Sequence, residues 1–457
     1  MRSATKIFND PVYGFVSVPQ GILLDLIDHP WFQRLRRIRQ LGLTHYVYPG
    51  ALHTRLHHAM GALHLMREAI EVLCAKGVDI TPEEAEAVSI AILLHDIGHG
   101  PFSHALEHTL LDLHHEDISL LFMEALNLEF GGRLDLAIEI FTDRYPKKFL
   151  HQLVSGQLDM DRMDYLNRDS FFAGVSEGVI GYDRIIKMLA VQEGELVVEE
   201  KGIYSVEKFL IARRLMYWQV YLHKTGVAAE QMLIRALRRA RELALGGVRF
   251  ADVPPALGWF LYRAPDDKTP PSELLPRFAR LDDTDFAAAL KVWAEADDFV
   301  LSFLSRGLLD RRLFRLEWHN TPVAEAYTAA IRDNVARLYP DAPAEYLVYE
   351  GKESNRAYDD ARETKEAVEA LGRRCLLFAG DIGREAFCNR VSRAVLKKWG
   401  RIDVLVNNAA EQHPQKSIAD ITAKQLEKTF RTNIFSFFYL TKAVLPALKR
   451  GAAIVNT

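Results

Sequence analysis

Apolar residues in the first half of the chain recur every three to four positions, the spacing of one face of an α-helix. Leu56, Leu63, Met66, Ile70 and Leu73 form such a stripe behind Thr54, which predicts a helix capped by Thr54 and running through Cys74. Thr81-Pro82-Glu83-Glu84 is a capping box with proline at the first helical position. It opens a second helix, almost wholly aliphatic from Ala85 to Leu94, that ends at Gly98. A further helical run, Ser205 to Leu245, sets Arg213, Tyr217, Tyr221 and Lys224 at i, i+4, i+8 and i+11. Leu196-Val197-Val198-Glu199, following Glu193-Gly194, reads as a hairpin strand. Val253 to Pro276 is rich in Pro and Asp and reads as a surface connection, and 280–340 is helical again.

Near Tyr358 the pattern changes. Cys375 to Phe378, Ile402 to Val406 and Ala452 to Val455 are short apolar runs separated by long amphipathic segments, a βαβ rhythm. The expected fold is therefore mainly α with small β elements, followed by a partial α/β, Rossmann-like fragment. Three regions follow: 1–250, a mainly helical 251–357, and 358–457.

Composition narrows the function classes. Apolar content of 49% and charged content of 26% are ordinary for a globular protein. The 57 basic and 61 acidic residues nearly cancel, so no strong nucleic-acid signal arises from overall charge. Cys74, Cys375 and Cys388 lie far apart, which fits neither a disulfide framework nor a zinc cluster and agrees with a reducing, cytoplasmic setting. Met1 to Gly14 has no apolar leader, and no apolar run reaches membrane-spanning length, so no membrane association is expected.

The chemistry concentrates at His95-Asp96, at the end of the aliphatic helix. A carboxylate in such apolar surroundings must be paired, hydrogen-bonded or bound to metal. His99 and His104 follow closely. Four candidate ligands, His58, His95, Asp96 and Asp161, fall on separate helical segments. Two imidazoles and two carboxylates suit a borderline first-row metal or Mg2+, with positions left for water and substrate.

The surrounding sequence resembles the HD-domain phosphohydrolases, and within them the deoxynucleoside triphosphate triphosphohydrolase branch. The resemblance rests on Gln33-Arg34-Leu35-Arg36, Gln40-Leu41-Gly42, Thr54-Arg55-Leu56-His57-His58, His95-Asp96-Ile97-Gly98-His99-Gly100-Pro101-Phe102-Ser103-His104, His115-Glu116 and Asp159-Met160-Asp161-Arg162-Met163-Asp164-Tyr165. It covers residues 1 to about 357, with 1–250 as the HD metal-dependent core and 251–357 as its C-terminal region, cut short. It implies that His58, His95, Asp96 and Asp161 hold a divalent metal (Mn, Mg, Fe, Zn or Ni). His99, His104 and His115 would be catalytic, and Glu107, one turn beyond His104, would orient that imidazole. Arg55 would contact phosphate. Gln40, Leu41, Arg162, Tyr165, Asp169 and Tyr221 would touch sugar and phosphates, with Arg213 and Lys224 as further phosphate contacts. The family has Lys where Arg162 stands and another polar residue where Leu222 stands, so base and sugar selectivity stay open.

The implied reaction is hydrolysis of a dNTP at the α-phosphorus to a deoxynucleoside and triphosphate. Lys6, Asn9, Asp28, Gln33 and Arg36 match family positions that bind an activating guanine nucleotide, GTP or dGTP, between subunits. That implies a homo-oligomer. Asp accepts well from a guanine's N1 and amine, while Arg and Lys meet phosphates.

Residues from about 359 onward resemble short-chain dehydrogenases, carried by Gly380-Asp381-Ile382, Ile402-Asp403-Val404-Leu405-Val406-Asn407-Asn408-Ala409-Ala410 and Thr432-Asn433-Ile434-Phe435. In that family Asp381 would meet adenine, Asn407 would line the cofactor cleft and Asn433 would join the catalytic set. No Gly-rich strand-to-helix turn precedes the segment, and the family's Ser and Tyr-x-x-x-Lys do not follow, so no functional NAD(P) site and no hydride transfer are expected. The family's two strands between Cys375 and Ile402 are also missing, which leaves an apolar edge exposed. Both resemblances are cut near Tyr358, as in an artificial or mis-assembled fusion. Alternative readings remain: an HD hydrolase of another nucleotide phosphate ester, a non-catalytic nucleotide-sensing module, or, from the tail alone, an oxidoreductase.

Overall fold

The computed structural model describes residues 5–102, 109–111, 113–263, 265, 269–319, 323–340, 342–351, 373–410 and 417–456. The chain divides into two compact units, Met1–Lys352 and Glu353–Thr457.

The first unit opens on an antiparallel hairpin that the helical reading did not foresee, β1 (Thr5–Asp10) and β2 (Gly14–Pro19). Asp10 closes its turn by accepting the N–H groups of Val12 and Tyr13 at 2.9 and 3.0 Å. Short helices α1 (Ile22–Asp28) and α2 (Pro30–Gln33) and a 3-10 turn, Arg34–Arg37, lead to the central helix α3 (Arg55–Ala75). Thr54 caps α3 as expected, its N–H donating to His57 Nδ1 at 3.1 Å. In the helix α4 (Pro82–Leu94), Thr81 and Glu84 exchange the two hydrogen bonds of the capping box at 2.8 and 3.2 Å. The helix stops at Leu94, short of the expected Gly98, and His95 to His99 form a tight turn.

Next come α5 (His115–Glu129), α6 (Asp135–Phe141), α7 (Lys148–Val154) and α8 (Met160–Ala173). Asp159 caps α8 by accepting the Arg162 N–H at 2.7 Å, and Gly174 ends it in a left-handed conformation. Helix α3 packs against both α4 and α8. Leu63, Leu65, Met66, Ala69 and Leu73 of α3, Val88, Ile92 and Leu94 at α4, and Met163 and Leu166 of α8 all belong to one buried core. Each such leucine contributes about 1.5–3 kcal/mol, so the helices that carry the histidines and carboxylates are held rigidly.

After α9 (Tyr182–Met188) stands the expected hairpin, β3 (Leu189–Gln192) and β4 (Glu195–Val198), turning at Glu193 and Gly194 with φ of 54° and 86°. The single helix expected from Ser205 to Leu245 is two: α10 (Ile203–Met216) and α11 (Lys224–Leu245). Between them Tyr217–Tyr221 form a π turn, closed by Leu222 N–H to Tyr217 O at 2.8 Å. The wider turn breaks the expected Arg213-to-Lys224 stripe, because Lys224 starts a new helix.

The stretch read as surface connection instead contains α12 (Pro255–Arg263) and α13 (Pro271–Phe278), which bury Leu257, Phe260, Leu261, Leu274, Leu275 and Phe278. Proline at a first helical position starts a helix as readily as proline elsewhere breaks one. Helices α14 (Asp283–Trp293), α15 (Phe299–Leu309), α16 (Glu325–Leu338) and α17 (Ala344–Leu347) complete the unit.

The second unit contains α18 (Glu385–Trp399), β5 (Ile402–Asn407), α19 (Ala423–Phe430), α20 (Ser436–Val444) and β6 (Leu448–Asn456). Strands β5 and β6 pair in parallel, Val404 opposite Ala453 and Val406 opposite Val455. Cys375 to Phe378, expected as a strand, is irregular. A strand exists only where another offers ladder hydrogen bonds, and the described residues offer this one no partner. The architecture is thus the mainly helical fold followed by a partial α/β fragment that the sequence pattern implies.

Candidate functional site

The four residues singled out as ligands converge. His58 comes from the second turn of α3, His95 and Asp96 from the turn after α4, and Asp161 from the first turn of α8. His58 Nε2 lies 3.4 Å from His95 Nε2 and 3.1 Å from Asp161 Oδ1. His95 Nε2 is 3.5 Å from the same Asp161 oxygen and 3.4 Å from Asp96 Oδ1. Asp96 Oδ2 is 3.8 Å from His58 Nε2.

The outer nitrogens determine what the inner ones do. His58 Nδ1 donates to Asp164 Oδ2 at 2.7 Å, and His95 Nδ1 donates to the Ile92 carbonyl at 2.6 Å. Both acceptors lack protons, so each imidazole turns its Nε2 lone pair inward. Two lone pairs facing one another between two carboxylates are stable only around positive charge. Where no cation stands between them, the same demand for positive charge is met by protonation of the imidazoles. Burial opposes charge on His58, but hydrogen bonds to Asp161 and Asp164 overcome it and raise the imidazole to about 10. His95 is also raised, against its burial, chiefly by Asp96. The Asp161 carboxylate resists the effect of burial because His58 and His95 hold it well below the usual range. His58, His95 and Asp161 offer ligand atoms that all lie within 4.8 Å of one another, with Asp96 beside them, a set that fits a divalent cation of the N/O-ligated kind.

The support behind it extends further than sequence reasoning reached. Asp164 forms a double hydrogen bond with Arg168 at 2.9 Å, and Arg168 reaches Asp10 at 2.8 Å, so His58 is braced through α8 to the end of β1. Gly61 makes room for this brace: a Cβ there would stand 2.0 Å from Asp164 Oδ1 and 2.1 Å from Arg168. Ser119 of α5 accepts the Gly98 N–H at 2.9 Å and donates to the His95 carbonyl at 2.7 Å, which fixes the His95–His99 turn. Arg34 is fully buried and donates to the carbonyls of Ile97, His99 and Leu281. The i, i+4 spacing of Asp164 and Arg168 was a readable signal; the reach of Arg34 and Ser119 was not.

Among the proposed catalytic histidines, His99 and His115 stack with ring centroids 3.8 Å apart and planes 14° apart. His99 Nε2 lies 3.2 Å from Asp96 Oδ1, and burial together with the Arg55 charge pushes its pKa down to about 3. Arg55 donates to Asp96 Oδ2 at 2.5 Å. His104 and Glu107 lie outside the described residues.

The residues expected to meet substrate extend from this centre along α8. Arg162 is paired with Asp159. The rings of Tyr165 and Tyr221 are 6.1 Å apart, and Tyr221 is also 5.3 Å from Tyr217. Burial, reinforced by Asp161, drives the Tyr165 phenol far up, while Arg213 acts against that shift. Asp169 is buried and accepts from Tyr221 OH at 2.8 Å. Gln40 and Leu41 follow the 3-10 turn, and the Gln40 N–H donates to His53 O at 3.0 Å. Lys224 lines a polar recess of about 600 Å³ together with Arg311, Arg315 and Trp318.

The residues expected to meet an activating nucleotide occupy an exposed edge. Lys6 Nζ is 3.5 Å from Asp28, and Arg36 donates to Gln33 Oε1 at 2.7 Å. Asn9 is exposed on β1. In the second unit Asn407 is buried against Asn456 and Thr441, at 2.8 and 3.3 Å. Asp381 accepts the Gly383 N–H at 2.8 Å and pairs with Arg384. No described helix is long and apolar enough to cross a membrane.

Comparison with known proteins agrees with this geometry. Residues 55–169 match the HD domain, 180–249 the HD associated region, and 342–457 an enoyl-(acyl carrier protein) reductase family. The crystal structure of a phosphohydrolase from Bacteroides thetaiotaomicron is 53% identical with a TM-score of 0.74, covering 77% of this chain and 89% of that one. A deoxynucleoside triphosphate triphosphohydrolase SAMHD1 homolog of Dictyostelium discoideum is 34% identical over 259 residues, 52% of this chain and 50% of its own length. The tail is 61% identical over 100 residues to the uncharacterized oxidoreductase YhxC of Bacillus subtilis, 22% of this chain and 35% of that protein. The segment thus spans about a third of that oxidoreductase's length. The chain belongs to the HD-domain phosphohydrolases, fused to a fragment of the short-chain dehydrogenase kind.

Proposed function

We propose that this protein hydrolyses deoxynucleoside triphosphates at the α-phosphorus, releasing a deoxynucleoside and inorganic triphosphate. The observation that carries the reading is the inward convergence of His58, His95 and Asp161, with Asp96 beside them and both Nδ1 atoms already committed to acceptors. The chemistry supplied by a divalent cation there is Lewis-acid polarisation of phosphate oxygens and activation of water. The protein's own groups do the rest. Arg55, at the first turn of α3, offsets charge on the phosphates. Water adds to phosphorus, the bond to the sugar's 5′-oxygen breaks, and an imidazole of the His99, His104 and His115 set protonates that oxygen. Arg162, Tyr165, Arg213 and Tyr221, with Gln40 and Leu41, line the path for sugar and phosphates. The Dictyostelium triphosphohydrolase supports the choice of a dNTP.

Lys6, Asn9, Asp28, Gln33 and Arg36 form the activating guanine-nucleotide site, completed by a second copy of the chain, since they lie on an exposed edge. Incubation with each dNTP and Mn2+ or Mg2+, with and without GTP, should yield deoxynucleoside and intact triphosphate by ion-pair chromatography, faster with GTP. Monophosphate or free phosphate would instead identify a hydrolase of another phosphate ester. Folded, metal-loaded protein without any product would identify a nucleotide-sensing module.

A further inference from the structure

Outside the metal donor set, three side chains from distant parts of the sequence form a buried chain. His53 Nε2 lies 2.8 Å from Asp169 Oδ1, and Tyr221 OH donates to Asp169 Oδ2 at 2.8 Å. The His53 and Asp169 side chains are 0% and 2% exposed. A carboxylate here only accepts, so the proton belongs on His53 Nε2. Its Nδ1 is buried without a hydrogen-bond partner, an unfavourable state that the bond to Asp169 must outweigh. The imidazole also lies flat on Phe172, with centroids 4.5 Å and planes 14° apart, so it has little freedom to turn away.

The backbone around His53 is equally constrained. Its carbonyl accepts the N–H of Gln40 at 3.0 Å. Upstream, a Cβ on Gly50 would stand 2.6 Å from the Phe172 carbonyl, so the loop before α3 is pressed against the end of α8. One residue therefore ties the Gln40–Leu41 loop to Asp169, and through Asp169 to the π turn that presents Tyr221.

We propose that His53 is a positioning residue for the substrate sugar. It holds the Asp169 carboxylate in one rotamer, so that the lone pairs left by His53 and Tyr221 form a fixed acceptor for a sugar hydroxyl. A carboxylate has about four acceptor directions, and two are used here. This role rests on the dNTP reading above and adds a source of sugar selectivity that involves no contact between His53 and substrate. Without His53 the carboxylate rotates or takes up water, and the hydroxyl loses its fixed partner.

The test compares a dNTP with its 2′,3′-dideoxy counterpart on the full-length, Mn2+-loaded protein. The wild type should favour the dNTP in kcat/KM. His53→Ala should lower that preference roughly tenfold, mainly through KM, with metal content unchanged and the protein folded at assay temperature though less stable. His53→Gln, whose amide N–H can reach Asp169, should regain most of it. An unchanged preference in folded His53→Ala overturns the proposal, as does an equal loss on both substrates that Gln does not rescue. Should His53→Ala fail to fold, folded His53→Gln decides: a retained preference supports the role and a lost one overturns it. A wild type that hydrolyses both substrates equally refutes the sugar role alone, whereas one that hydrolyses no dNTP removes the underlying reading and this proposal with it.

Discussion

The two units treat their polar and apolar groups in opposite ways. In the first, charged side chains go inside: Asp164 and Arg168 are fully buried, and His58 and Asp10 complete their hydrogen bonds. In the second, apolar side chains stay outside: Val404 and Val406 of β5 are 57% and 54% exposed, and Ile454 and Val455 of β6 are also exposed. Helix α4 buries most of its length, whereas α19 buries nothing. A hydrophobic pattern builds a core only when its neighbours are present. A buried charge is tolerated best when its partners are in place. Around Asp164 and Arg168 the first unit meets both conditions, and these braced polar groups stand directly behind the candidate metal site.

The sharpest way to break this contrast is to remove a group from the donor set. His95→Ala or Asp161→Ala should lose bound metal and hydrolytic activity together, to background, by elemental analysis and product release; activity equal to wild type would refute the assignment. A milder change acts one layer out. Asp164→Asn keeps the volume but weakens the brace behind His58, and should cost roughly 10–100-fold in metal affinity or turnover. If it titrates metal like wild type, Asp164 serves packing alone. The smallest effect is expected in the second unit. Val406→Lys should leave hydrolysis unchanged while reducing light scattering on storage, because a lysine on an exposed edge discourages strand pairing between chains. Loss of hydrolysis in that variant would mean the exposed edge matters to the first unit.

Much of this was readable from local pattern. Thr54 and the Thr81–Glu84 box start their helices where the sequence places them, because capping depends on a few neighbouring residues. The candidate ligand residues stood out because their neighbours repeat a family's words, and the fold brings them within a few ångströms of one another. The departures have particular causes. Pro255 and Pro271 start helices within a stretch that looked like linker. The π turn at Tyr217–Tyr221 splits a periodicity that looked continuous, since one extra residue per turn leaves the apolar rhythm nearly intact. The β1–β2 hairpin was overlooked although the bonds that close it, from Val12 and Tyr13 to Asp10, are local.

The sequence by itself determined which residue types are present and on which helices they ride: two histidines and two carboxylates on three apolar segments, and a tail with strand-like runs but too few of them. Only the tertiary structure decided how those groups face one another. The direction of each Nε2 depends on Asp164 and on the Ile92 carbonyl. The His53–Asp169–Tyr221 chain joins residues 116 and 52 positions apart. The silence of Cys375 to Phe378 as a strand depends on ladder partners that the described residues do not supply. Local propensity acts over a turn or two of chain, whereas desolvated hydrogen bonds and strand ladders are long-range, and no local pattern records which distant groups will satisfy them.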